Sequence, residues 1–221
     1  MKIKKSKWLQ IAVVGLGVLG LTTLGATKAS ADAQNFTINT DNSSGALCSV
    51  ATPCGTISLS TSGTGASEVI NVSISLVNGD VLFGNGGGAF GLNGPVGLTF
   101  SNFSSSLYSF SGAGGTMDGW GNFAYVINGP TPPNGLSSLS FTVSCPGGCT
   151  SVNNIIIDST GANGDTPFVL HIFNPSANGG NGLTGFAGVT QGGQTPEPSS
   201  LLLLGTGLVG LGAGLRRRFV A

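Results

Sequence analysis

Two hydrophobic patterns divide the chain. Unbroken apolar runs lie near each end, from about Leu9 to Leu24 and from Ser199 to Leu215, whereas the stretch between them alternates apolar and polar residues with a period of two. In EVINVSISLV, Ile70, Val72, Ile74 and Leu76 alternate with Asn71, Ser73 and Ser75; in SLSFTVSC, Leu139, Phe141 and Val143 alternate with Ser140, Thr142 and Ser144. A strand turns successive side chains to opposite faces, so both stretches predict half-buried strands with one face in a core and one in water. Weaker apolar runs, NFTIN at 35, VGLTF at 96, SLYSF at 106, NFAYVI at 122, NNIII at 153 and PFVLHIF at 167, predict further strands. Asn78-Gly79, Asn93-Gly94-Pro95, Asn128-Gly129-Pro130, Asn134-Gly135 and Asn163-Gly164 punctuate them with residues that tolerate the positive φ of tight turns.

About eight short strands with such turns predict an all-β fold, an antiparallel β-sandwich of jelly-roll type. A β-solenoid would need a fixed repeat, and the chain shows none. The expected body spans residues 32–175. Gly84 to Gly94 is expected to be flexible, and residues 176–194 to form a Gly-rich linker.

Charge sharpens this division. The chain has 221 residues and a formal net charge of zero, yet every basic residue lies in an end: Lys2, Lys4, Lys5, Lys7 and Lys28 at the front, Arg216, Arg217 and Arg218 at the back. All eight carboxylates fall between them: Asp32, Asp41, Glu68, Asp80, Asp118, Asp158, Asp165 and Glu197. A body without Lys or Arg cannot displace the counterions condensed on a nucleic acid, nor clamp a transferring phosphoryl group. Few charges and 39 glycines could suggest disorder, but 40% of residues are hydrophobic and fall in β-branched and aromatic runs, which predicts a folded body.

The front reads as a secretory signal peptide: lysines, an apolar run, then Ala29-Ser30-Ala31 with small residues where signal peptidase needs them. Cleavage is expected after Ala31, with Ala33 as the alternative site and an uncleaved anchor as the alternative reading. At the back, the 17 residues Ser199 to Leu215 carry no charge. As a helix they would span roughly 25 Å, a marginal transmembrane crossing. Arg216 to Arg218 would stop transfer with the C-terminus inside, and Pro196 and Pro198 hold Glu197 in an extended stretch just outside. Pro196-Glu197-Pro198, the Leu/Gly-rich run and the terminal Arg cluster resemble the PEP-CTERM sorting signal of exported proteins of Gram-negative bacteria. The resemblance covers about the last 27 residues. It implies recognition by an exosortase, removal of the tail near the Pro-Glu-Pro block, release to the envelope, outer surface or extracellular matrix, and an association with exopolysaccharide. A plain C-terminal anchor is the alternative.

Candidate chemistry in the body is sparse. Four cysteines in an exported chain suggest two disulfides, most simply Cys48 with Cys54 and Cys145 with Cys149. A four-thiolate zinc site would use other spacings. His171, the only histidine, lies in an apolar strand and reads as a packed residue, and no G-x-S-x-G elbow marks a nucleophile. Asp118, Trp120 and Tyr125 in MDGWGNFAY could form a glycan platform, an aromatic face stacking on a sugar while the carboxylate accepts hydroxyl protons; the alternative places Trp120, Phe123 and Tyr125 in a core. Asp158, Asn163 and Asp165 could offer oxygens to calcium, although their spacing departs from the usual loop.

The expectation is an exported, non-enzymatic protein without a cofactor, with a structural or adhesive role at the surface or in the matrix. A carbohydrate-binding module for the matrix polysaccharide is the alternative, and a secreted hydrolase a third reading.

Overall fold

The computed structural model describes residues 32–44, 47–84, 88–110 and 112–191. The signal peptide read at 1–31, with Ala29 and Ala31, lies outside these residues. So does the sorting segment at 195–221, with Pro196, Glu197, Pro198, Arg216, Arg217, Arg218 and the expected membrane helix.

The period-two alternation does fold as strands. In chain order they are β1 (Ala33–Asp41), β2 (Gly55–Ser62), β3 (Val69–Leu76), β4 (Val81–Leu82), β5 (Phe90–Leu92), β6 (Thr99–Ser101) and β7 (Ser109–Phe110). β8 (Gly115–Met117), β9 (Gly121–Phe123), β10 (Tyr125–Asn128), β11 (Ser138–Ser144), β12 (Phe168–Asn174) and β13 (Leu183–Gln191) complete the set. Every pairing between them is antiparallel. Apolar positions face inward: Ile57 and Leu59 of β2, Ile70, Val72 and Ile74 of β3, and Leu139, Phe141 and Val143 of β11 are all buried in one core.

A sandwich would divide these strands into two sheets. Hydrogen bonding instead runs without a break in the order β6-β11-β3-β2-β1-β13-β12-β5-β10-β7, with β4 added on β12. The sheet curls until it nearly closes. Phe100 of β6 and Phe110 of β7, at opposite ends of the strand order, bring their ring centroids to 4.6 Å, and Phe90 of β5 meets Phe141 of β11 across the core at 5.8 Å. Closure hides edges that would otherwise template aggregation.

Three expectations change. Residues 176–194 are not simply a linker, because β13 fills Leu183–Gln191 and lies between β1 and β12, paired with both. Gly84 to Gly94 includes β5, whose Phe90, Gly91 and Leu92 are all buried. The NNIII run forms a short 3-10 helix, Val152–Ile155, because Ser151 and Asn154 close a reciprocal capping box at its start. Both local disulfides form, Cys48–Cys54 and Cys145–Cys149, with Cα separations of 5.2 Å and 5.0 Å.

Candidate functional site

The segment singled out as a glycan platform is packed away. β8 and β9 form a separate two-stranded hairpin, and Met117, Trp120 and Phe123 fold against the outer face of the main sheet with Val126 and Val169. Trp120 is 2% exposed, and its indole Nε1 donates to the Phe186 carbonyl at 3.1 Å. Tyr125 is 8% exposed, its hydroxyl donates to the Pro95 carbonyl at 2.6 Å, and its ring packs near Phe100 and Phe110. Neither ring offers a face to a sugar, so the platform reading is corrected in favour of the core one. Asp118 is exposed, but it is tied into the fold. Asn42 Nδ2 donates to the Asp118 carbonyl at 2.9 Å while Asn42 Oδ1 accepts the Phe186 N–H at 2.7 Å, which pins the hairpin to β13.

His171 is likewise packed. Its ring lies between Phe83 and Phe186, with centroids at 3.9 Å and 4.0 Å. Thr184 Oγ1 sits 3.3 Å from its Nε2. Desolvation, opposed in part by a backbone hydrogen bond at Gly88, brings its pKa down to about 4, so the ring is neutral at physiological pH. The four cysteines are all oxidised in pairs, which corrects the zinc alternative. Among the described residues no three His, Cys, Asp or Glu side chains gather as ligands for a metal.

What the fold does assemble is a surface that no short motif announces. The alternation that buries Ile57, Leu59, Ile70, Val72, Ile74, Leu139, Phe141 and Val143 turns the intervening residues outward on one broad sheet face. Register then aligns them in rows. Thr190, Thr37, Thr56, Ser75 and Ser138 follow one another across β13, β1, β2, β3 and β11. Asn35, Ser58, Ser73 and Ser140 form the next row, and Ser60, Asn71, Thr142 and Ser101 a third. Strands spaced at about 4.8 Å, with same-face residues about 6.8 Å apart along each, set these hydroxyls and amides on a regular grid. None of them is charged or aromatic. Ser58, Ser73, Ser75 and Ser138 are exposed, and their hydroxyls have no partner among the described residues.

Residues 194–218 match the family profile of the PEP-CTERM protein-sorting motif, so the chain carries the signal of an exported protein sorted by exosortase and transiently anchored in the membrane. No curated protein matches the chain, and no solved structure matches it.

Proposed function

We propose that the β-body is non-enzymatic cargo, a structural or adhesive protein delivered to the outer surface or extracellular matrix of a Gram-negative bacterium. On this reading signal peptidase removes residues 1–31, and Ser199 to Leu215 crosses the inner membrane until exosortase cuts near Pro196-Glu197-Pro198. The observation that carries the adhesive role is the charge-free grid of hydroxyls across five strands. Hydroxyls both donate and accept, so the grid suits a neutral, hydroxyl-rich partner; without Lys or Arg the face holds no cation for a polyanion. Packing of the only histidine between two phenylalanines supports the absence of acid-base chemistry. A carbohydrate-binding role for matrix polysaccharide remains the second reading, moved from the buried Trp120 to this hydroxyl face.

The test places charges in the middle of the grid. Ser58→Glu with Ser140→Glu, two strands apart in one row, should leave thermal unfolding nearly unchanged, because both side chains are solvent-exposed and the two carboxylates are not directly opposite. The exported variant should then pass from the cell-associated fraction into the medium. Retention equal to the native protein would rule out this face as the adhesive one.

A further inference from the structure

The start of β1 is held more firmly than a chain end requires. The Asp32 N–H donates to Thr61 Oγ1 at 3.1 Å, and the Asp32 carbonyl accepts the Thr61 N–H at 2.9 Å, so pairing with β2 continues past Ala33↔Ser60. The carboxylate reaches a segment 119 residues away, where Oδ2 accepts from Ser151 Oγ at 2.5 Å and from the Val152 N–H at 3.0 Å. Ser151 is the N-cap of the 3-10 helix Val152–Ile155, whose Val152 and Ile155 side chains are buried in the main core. The first N–H groups of any helix lack partners within it, so Asp32 supplies an acceptor from outside.

We propose that export hydrolyses the Ala31–Asp32 peptide bond and that the N-terminus so formed is a built part of the fold, clamping β1 to the 3-10 helix. The proposal rests on the reading of residues 1–31 as a signal peptide. Hydrolysis adds one water: the leader keeps a carboxylate on Ala31, and the Asp32 nitrogen becomes an α-ammonium. The single N–H that now meets Thr61 Oγ1 is thereby replaced by a group with more donors, adjacent to its own carboxylate. Every Lys and Arg lies at 2–28 or 216–218, so removal of both ends leaves this α-ammonium, whose ordinary pKa is about 8, as the body's main cationic group near neutral pH. Cleavage after Ala33 would instead discard Asp32 with its bonds to Thr61, Ser151 and Val152.

The full-length precursor, produced in an export-competent Gram-negative host, provides the test. The N-terminal peptide of the exported chain is mapped for the native sequence, Asp32→Asn, Asp32→Ala, Ser151→Ala and the Asp32→Ala/Ser151→Ala pair, and thermal unfolding is then compared. The expected native start is Asp32. Loss of a capping acceptor in a domain of this size should lower Tm by roughly 2–6 °C in Asp32→Ala, and by less in Asp32→Asn, which keeps an acceptor oxygen. The double variant should lose less than the sum of the single effects, since both changes break the Ser151–Asp32 contact while each also breaks one of its own, the Val152 N–H bond to Asp32 and the Asn153 N–H bond to Ser151 Oγ. A leader still attached would overturn the export reading itself. A start at Gln34 would overturn the N-terminus assignment alone, and an unchanged Tm in Asp32→Ala, or additive losses in the double variant, would overturn the clamp. If Asp32→Ala is not recovered folded, a lowered Tm in Asp32→Asn supports the clamp and an unchanged one overturns it.

Discussion

Single residues show where composition misleads. A Cβ on Gly188 would sit 2.6 Å from the Trp120 ring, and one on Gly91 would sit 2.9 Å from Phe123. These glycines are buried seats for aromatic side chains, not flexible spacers. The account therefore predicts that Trp120→Ala destabilises the body by about 3–5 kcal/mol, the usual cost of emptying a buried aromatic site, without reducing adhesion of the folded fraction. Denaturant unfolding measures the first and cell fractionation the second. Gly188→Ala should also destabilise, because the indole must move.

Two buried titratable groups act in opposite directions within one pH window. Burial pushes the Asp80 carboxyl up to about 6, with Asn174 opposing, so the folded chain binds this proton more readily than the unfolded chain. Its contribution makes stability rise as pH falls from about 6 towards the ordinary carboxylate range. His171, brought down to about 4, does the reverse, since below pH 6.5 the unfolded chain takes up a proton that the fold refuses. At 1.36 kcal/mol per pKa unit each effect amounts to at most about 3 kcal/mol. The two should partly cancel in the native protein between pH 4 and 6.5. Asp80→Asn should leave a stability that declines on acidification, and His171→Phe one that increases. Thermal scans across that range would expose an error in either sign.

At the scale of elements, β3 and β11 were legible because each alternates cleanly; β2 alternates too, with Ile57 and Leu59 set between Thr56, Ser58 and Ser60, yet it was not among the expected strands. β13 was not legible. Its inward residues include only Ala187 and Val189 as sizeable apolar groups, and its outward Gly188 makes room for Trp120. Its identity as a strand comes from partners distant in sequence, which no local pattern reports. The hydroxyl grid was hidden for a related reason: outward serines were readable strand by strand, but their alignment into rows depends on register. Because β13 bridges β1 and β12, a chain ending at Asn181 should fail to give the native far-UV spectrum or a cooperative transition, whereas one ending at Gln194 should unfold as the intact body does. Equal behaviour of the two chains would mean that β13 is dispensable.

At the scale of the whole molecule, the body and its address are separable. β1 and β13 are antiparallel neighbours with Phe36 opposite Gln191, so the chain enters and leaves the sheet from the same end of adjacent strands. The sorting motif begins at residue 194, only a few residues after β13 ends, and its removal would take none of the described strands. The address was readable from Pro196-Glu197-Pro198, the apolar run and the arginines because these features lie next to one another in the sequence. The role of the body was not, since it depends on a surface that exists only once the sheet has formed. The most direct test of the account is intact mass with C-terminal peptide mapping of the native protein and of the Pro196→Ala/Glu197→Ala/Pro198→Ala variant, recovered from the host's envelope and medium. The account predicts a native chain that ends near the Pro-Glu-Pro block and lacks Arg216 to Arg218, and a variant that keeps them in the inner membrane. A native chain that retains the three arginines, or a variant trimmed like the native one, would contradict it.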